Sequence, residues 1–403
     1  MKPIEVMLLV AATATASCGV AESASTVTVS DSLGVRLVQN HGAAGIPGIV
    51  PRLDSAEPVR IGTVDGDARY QFFRLSGAVR LSSGTIVVAV GGTQDVRWFG
   101  ANGEWIRSVG GHGSGPGEFQ WVRSLLRLPG DSILIEDPIS ARMTLYDANG
   151  RFVRSWLIGA DRPSPIGRLA DGGLVAIPER TINEPPGFVR FEAAVVRYTG
   201  GTTDTIGTFA GSESFTMMCG PDNSGLCNLG LPYGPDAVGA VSDDAVFVGN
   251  GATYEIRRFT PSAGLTAIIR RDEPLVPLTA ERVAWQLDSL LGAVPPVRRE
   301  MMRERLVSRP APATMAAFSQ IIADDVGRIW VGRPAALIDG SVGLKETREW
   351  DVFDADGRFI GAVALPTSLR VMSISDGHIV GIALDDDGVE YVEVHRLSGT
   401  SPD

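Results

Sequence analysis

Lysine is almost missing from this chain of 403 residues. It occurs only at Lys2 and Lys345, so arginine supplies 34 of the 36 positive charges against 47 Asp and Glu, for a formal net charge of −11. Neutralising a nucleic-acid backbone takes clustered cations, so this balance excludes nucleic acid as a partner. Histidine is nearly as scarce: His41, His112, His378 and His395 are scattered and form no H-E-x-x-H, which speaks against a zinc site. No stretch reaches ~18 uninterrupted apolar residues, so no transmembrane helix is expected. The glycine run Gly110–Gly117 has no Lys-Ser or Lys-Thr after it and no G-x-G-x-x-G register, which excludes a phosphate loop and leaves a tight crossover. Ser114 has His112 rather than glycine two residues before it, so it is no hydrolase elbow.

Turns and short apolar runs are abundant. The chain holds 48 Gly and 25 Pro, too few for a collagen-like protein but well suited to an all-β one. Aromatic-to-glycine turns recur at Phe99–Gly103, Tyr146–Gly150 and Phe353–Gly357, with looser copies at Tyr198–Gly201 and Phe259–Gly264. A second turn class begins at Ser82, Pro129, Ala170, Ser242, Asp324 and Ser375, each leading into a β-rich run such as Ile86-Val-Val-Ala89. The first two members lie 47 residues apart in one class (Phe99 to Tyr146) and 46 in the other (Gly84 to Gly130), the period of a four-stranded propeller blade. Five turns of one class against six of the other leave the last blade one strand short. Glu57–Gly62 reads like the missing outer strand, so the chain is expected to form a six-bladed β-propeller whose N-terminal strand closes the last blade. Within it, Thr279 as an N-cap and apolar residues at helical spacing predict a helical hairpin, residues 277–310, between blades four and five. A cover on one face is its expected role; a gate over the channel is the alternative.

The segment Val109-Gly-Gly-His-Gly-Ser-Gly-Pro-Gly-Glu-Phe119, continued through Asp137, Arg142 and Tyr146-Asp147, resembles the opening of an NHL-type repeat. Residues 31–400 as a whole are similar to exported bacterial six-bladed propeller proteins with no assigned activity. That resemblance implies a propeller fold and an address outside the cytoplasm, and names no ligand.

The N-terminus carries its own export signal: Lys2, a short apolar run from Val6 to Ala12, then small residues to Cys18. Thr15-Ala-Ser-Cys18 resembles a lipobox, which would make residues 1–18 a signal peptide, Cys18 the lipid anchor and residues 19–30 a tether. Ordinary cleavage after Ala16 is the competing reading. Membrane contact is then expected through the lipid alone, on a periplasmic or outer-membrane-associated lipoprotein that is a monomer. Cys219 and Cys227, eight apart across a Gly/Pro/Asn-rich loop, are expected to pair as a disulfide in that oxidising compartment.

The b–c and d–a loops around a propeller's channel form its usual working rim. They bring forward Asp95, Arg97, His112, Glu136, Asp137, Glu179, Arg180, Asn250, Arg333 and Asp385 as candidate ligand-binding residues. The acidic turns at Asp354–Gly357 and Asp385–Gly388 supply oxygen ligands of the kind calcium takes, although Asp also stabilises such turns unaided. No other cofactor is expected. The expected function is a non-catalytic module binding a small molecule, a peptide or an envelope protein. Alternatives are a divalent-metal hydrolase or lyase with its site in the channel, lactonase-like by fold analogy, and a scaffold of an envelope complex. Native mass spectrometry of membrane-extracted protein is expected to show a mature chain beginning at an acylated Cys18; an unacylated chain beginning at Ser17 would support ordinary cleavage.

Overall fold

Six sheets form where the two turn classes repeat. The computed structural model describes residues 26–42, 45, 50–115, 117–158, 164–181, 186–199, 201–219, 225–292, 294–335, 347–385 and 387–399. The signal peptide and Cys18 lie outside the described residues. The chain opens with a hairpin, β1 (Thr26–Ser32) and β2 (Val35–His41), followed by two short strands, β3 (Arg52–Leu53) and β4 (Val59–Ile61). Blade one comprises β5 (Leu75–Arg80), β6 (Ile86–Val90), β7 (Asp95–Phe99) and β8 (Trp105–Gly110). Blade two comprises β9 (Ser124–Leu128), β10 (Ser132–Asp137), β11 (Arg142–Tyr146) and β12 (Phe152–Leu157). Blade three is enlarged: β13 (Pro165–Arg168), β14 (Leu174–Ala176), β15 (Glu179–Thr181), β16 (Gly187–Thr199), β17 (Thr202–Cys219) and β18 (Gly225–Gly230).

Blade four holds β19 (Val238–Ser242), β20 (Ala245–Gly249), β21 (Glu255–Thr260) and β22 (Gly264–Arg271). Two helices follow, α1 (Ala280–Gly292) and α2 (Pro296–Val307). Blade five is β23 (Gln320–Ala323), β24 (Ile329–Gly332), β25 (Thr347–Phe353) and β26 (Phe359–Pro366). Blade six is β27 (Leu369–Ser375), β28 (His378–Leu384) and β29 (Glu390–Ser398), with its fourth strand borrowed from the start of the chain. β4 lies antiparallel to β29, pairing Ile61 with Val392, Arg60 with Glu393 and Val59 with Val394. The ring is therefore closed as the turn count requires, which hides two sheet edges.

The hairpin β1–β2 was not foreseen. It starts at Thr26, inside the stretch expected to be tether, and β2 adds to blade four as a parallel partner of β22. Asn40 fixes it: its amide nitrogen donates to the Arg270 and Gly357 carbonyls, both at 3.0 Å, and its oxygen accepts from the Phe359 N–H at 2.7 Å. One buried side chain thereby spans blades four and five.

The repeated turns owe their shape to their acids. Asp147 Oδ1 accepts from the Asn149 and Arg151 N–H groups at 2.9 and 2.8 Å, and Gly150 adopts φ +73°, where a side chain would be strained. Strands such as β6 are apolar on both faces because each blade is packed between two others. Buried apolar clusters accordingly join blades six and one, one and two, three and four, four and five, and five and six. Among the described residues no such cluster joins blades two and three. There Ala176, Val196 and Tyr198 cluster within blade three alone.

The helical hairpin packs on the connections between blades three, four and five. Thr279 caps α1, its Oγ1 accepting from the Arg282 N–H at 3.3 Å. Arg282 itself is buried and donates to the Ala335 carbonyl. After α2, Arg309 donates to the Gly230 carbonyl at 2.6 Å, resting the pair on the β17–β18 hairpin. That hairpin is pinned by the Cys219–Cys227 disulfide, with 5.8 Å between the Cα atoms. Replacing Ile61 by Ala is expected to cost about 2–5 kcal/mol in urea unfolding, because it leaves a cavity at the closing seam. Leu33→Ala, at a fully exposed hairpin turn, is expected to stay within about 0.5 kcal/mol; equal effects would show that closure does not govern stability.

Candidate functional site

A cavity of about 1020 Å³ runs along the axis between the innermost strands. Its two ends differ. At the a–b turn end, charges are tied to one another. Arg127 donates to Asp131 at 2.7 Å, to Asp376 at 2.8 Å and to the Arg80 carbonyl at 3.0 Å, and so reaches from blade two past blade one to blade six. Burial alone would raise the Asp131 carboxyl, but hydrogen bonds from Ser82 and Arg127 hold it below the usual range. Asp325 accepts from the Asp376 N–H at 2.7 Å. This end is latched.

The opposite end, at the seam between blades two and three, has unspent polar groups. Glu136 is 2% exposed and lines the cavity. Its Oε1 accepts from the Ser164 hydroxyl at 2.7 Å and its Oε2 from the Ser124 hydroxyl at 3.0 Å. Among the described residues it forms no ion pair, so each carboxylate oxygen keeps lone pairs for a visitor. Arg123 lines the same end, exposed, and its guanidinium also has no ionic partner among the described residues. A buried carboxylate without a cation must be satisfied by hydrogen bonds: Asp137 beside it accepts four, whereas Glu136 accepts two among the described residues and faces the cavity.

Register shows how singular Glu136 is. Ile86, Ile133, Val246 and Ile329 pair with the aromatic residues Phe99, Tyr146, Phe259 and Phe353 that open the c–d turns. Three residues further along, the four blades carry Ala89, Glu136, Gly249 and Gly332. Only blade two of these puts a charge there. Aligning the repeats on those aromatics would have singled out Glu136 from the sequence. Arg123 and Ser164 were missed because neither lies in a recognisable motif; the fold alone brings them to Glu136.

The other expected rim residues do not converge on the cavity. Arg97 is a buried strut that donates to the Ala68, Arg69 and Gln71 carbonyls at 2.9–3.1 Å and pairs with Asp95 at 2.9 Å. Asp137, one residue along β10 and therefore on the opposite face, braces two loops instead of lining the channel. Glu179 accepts from Ser212, exposed Arg180 pairs with Glu192, and Arg333 pairs with Glu273 and Glu349. Asn250 braces its own loop through the Gly211 carbonyl at 2.9 Å. His112 is exposed and its backbone bridges to Phe119. Asp385 is consumed by its turn, accepting from the Val389 N–H at 2.8 Å and the Tyr391 hydroxyl at 3.0 Å. None of these residues lines the cavity, and among the described residues their side chains, exposed His112 apart, are engaged by hydrogen bonds or ion pairs elsewhere.

The acidic turns do not fit calcium either. Asp354 Oδ1 accepts from the Asp356 and Arg358 N–H groups, Asp356 pairs with Arg36 at 2.8 Å, and Asp386 lies outside the described residues. Among the described residues no group of three or more His, Cys, Asp or Glu could hold a metal ion. Among the described residues the carboxylates of these turns are already engaged, and no step is routed through a cation.

A second ionic cluster is buried between blades four and five. Asp351 accepts from the Tyr254 hydroxyl at 2.5 Å and from Arg271. Burial pushes the Asp351 carboxyl up against the pull of Arg271, and pushes the Tyr254 hydroxyl well above its ordinary value. None of the three lines the cavity. Their role is to tie two blades together.

No family model and no curated protein matches the chain. Solved structures do. An exported protein of Bacteroides fragilis is 12% identical, covers 89% of this chain and 98% of its own, and superposes with a TM-score of 0.47. A member of the DUF4221 family from Bacteroides vulgatus is 10% identical over 87% of this chain and 99% of its own, with a TM-score of 0.49. Virginiamycin B lyase of Staphylococcus aureus is 11% identical over 86% of this chain and 99% of its own, with a TM-score of 0.41. At such identities the likeness is one of fold. The expectation of a non-catalytic module is withdrawn: a lyase stands among the structures similar in fold, and the fold alone assigns this chain no activity in either direction.

Substitution separates the two buried carboxylates. Asp351→Ala is expected to destabilise by about 3–5 kcal/mol, because it leaves Arg271 buried and uncompensated. Glu136→Gln is expected to stay within about 1 kcal/mol or to stabilise, as substitutions at functional groups often do. Urea denaturation of both variants reads the contrast; a large loss in Glu136→Gln would make Glu136 structural.

Proposed function

We propose that the protein is an exported propeller, anchored through Cys18, that takes a small polar molecule into the blade-two end of its channel and acts on it by proton transfer. Glu136 is the acid–base group and Arg123 the group that holds a negative charge on the ligand. The observation that carries this reading is the Glu136 carboxylate itself: buried, on the cavity wall, oriented by two serine hydroxyls and free of any cation among the described residues. Such a group costs stability unless a ligand completes it, and a positioned carboxylate within hydrogen-bond reach of a substrate is what general acid–base chemistry needs. The chemistry fits a lyase or hydrolase that needs no protein-held metal. Serine hydroxyls at Ser124 and Ser164 would keep the carboxylate pointed at the substrate through proton uptake and release.

Thermal unfolding of the mature protein in the presence of sugars, sugar acids, amino acids and hydroxy acids is expected to show at least one stabilising compound. Its effect should vanish in Glu136→Gln and Arg123→Ala and persist in Arg180→Ala, which removes a guanidinium far from the cavity. Nuclear magnetic resonance of the stabilising compound should show its turnover by wild-type protein only. Stabilisation that survives both Glu136→Gln and Arg123→Ala would refute the site.

A further inference from the structure

We infer that the ligand of this channel mouth is an acidic saccharide, stacked on Trp121 and held by its carboxylate on Arg123; the inference rests on the channel reading above. Trp121 is 45% exposed although tryptophan is the largest apolar side chain, and Phe73 is 64% exposed at the corresponding entry to blade one. Each ring stands just ahead of the innermost strand of its blade; neither lines the cavity itself, but Arg123, beside Trp121, does. Each has an arginine beside it: the Arg123 guanidinium carbon lies 5.6 Å from the Trp121 ring centre, and that of Arg74 lies 5.0 Å from Phe73.

Both rings rest on fixed backbone. Asp137, 1% exposed, accepts from the Gln120 N–H at 2.8 Å and the Trp121 N–H at 3.2 Å through its two oxygens. The same carboxylate accepts from the Ser140 N–H at 3.1 Å and hydroxyl at 2.8 Å, so one buried group ties the Trp121 loop to the neighbouring b–c loop. Phe73 lies against Gly92, whose N–H donates to the Phe73 carbonyl at 2.8 Å; a Cβ there would meet that oxygen at 2.5 Å. Gln94, at the end of that loop, accepts from the Val122 N–H at 2.6 Å and so joins the two platforms.

The mouth thus offers a flat exposed aromatic face beside it, a guanidinium with no ionic partner among the described residues, a buried carboxylate and polar wall residues at Ser164 and Gln320. A pyranose ring presents a C–H face to an aromatic and hydroxyls to such walls. A carboxylate on the ring matches a guanidinium in geometry and charge. A wholly apolar ligand would cover the charged Glu136 and Arg123 without offering either an ionic or hydrogen-bonding partner, which disfavours it.

Calorimetric titration of the mature full chain with a galacturonic acid trisaccharide, and with its neutral carboxyl-reduced counterpart, tests the inference. The acidic probe is expected to bind, and the neutral one to bind about tenfold more weakly or worse. Trp121→Ala should weaken the acidic probe about tenfold or more, while Trp121→Phe keeps a stacking face and should stay within about threefold of wild type. Arg123→Ala should abolish the preference for the acidic probe. Thermal unfolding of each variant establishes that it is folded. Equal binding of the two probes, no binding of either, or a folded Trp121→Ala that binds normally would overturn the inference. A different compound whose binding falls in Glu136→Gln but not in Trp121→Ala would overturn it while upholding the channel site.

Discussion

Closure of the ring is the constraint on which everything else rests. Three antiparallel pairs, Val59, Arg60 and Ile61 against Val394, Glu393 and Val392, turn a row of sheets into a circle. Once the circle is closed, each blade must pack against two neighbours, and strands such as Ile86–Val90 become buried on both faces. Closure also defines an axis, and the innermost strands enclose the only space in which side chains from all six blades can meet.

Among the described residues five of the six seams are filled with apolar side chains, and the sixth carries the candidate site. Where blades two and three meet, the joint holds Glu136, Ser124 and Ser164 in place of a shared hydrophobic cluster. Burying a carboxylate there gives up stability that a Leu or Val would have supplied. The enlarged blade three, with its disulfide-pinned β17–β18 hairpin and the helices resting on it, supplies long apolar pairings elsewhere in the same blade. The latched turns around Arg127 hold the far end of the channel together, so the mouth can remain polar without loosening the ring.

Glu136 and Asp137 show how one strand serves two purposes. Because successive side chains on a strand face opposite ways, Glu136 enters the channel wall while Asp137 fastens the rim loops behind Trp121. Neighbouring residues in sequence thus supply the proposed acid–base group and the brace that holds the Trp121 backbone. The Tyr254–Asp351–Arg271 cluster has perturbed ionisation but lies inside a seam and does not line the cavity. Access separates a site from a strut here, and ionisation alone does not.

Much of the fold was legible because hydrophobic alternation and Asp/Asn-Gly turns are local: they fixed the strands, the period, the number of blades and, through one missing turn, the borrowed strand. The cysteine spacing likewise sufficed for the disulfide, since eight residues of turn-rich chain bring two thiols together. The β1–β2 hairpin was not legible, because its pairing with β22 and the span of Asn40 to Gly357 depend on residues hundreds of positions away. The same limit explains the rim. Loop position marked ten polar residues, yet of these only Glu136 lines the cavity, and among the described residues the others, exposed His112 apart, are engaged by hydrogen bonds or ion pairs. Sequence by itself determined the circle, since periodic local signals repeat until the ring is full. Only the tertiary structure decided which charges stay unspent, because whether a carboxylate finds a partner depends on distances that no spacing along the chain encodes.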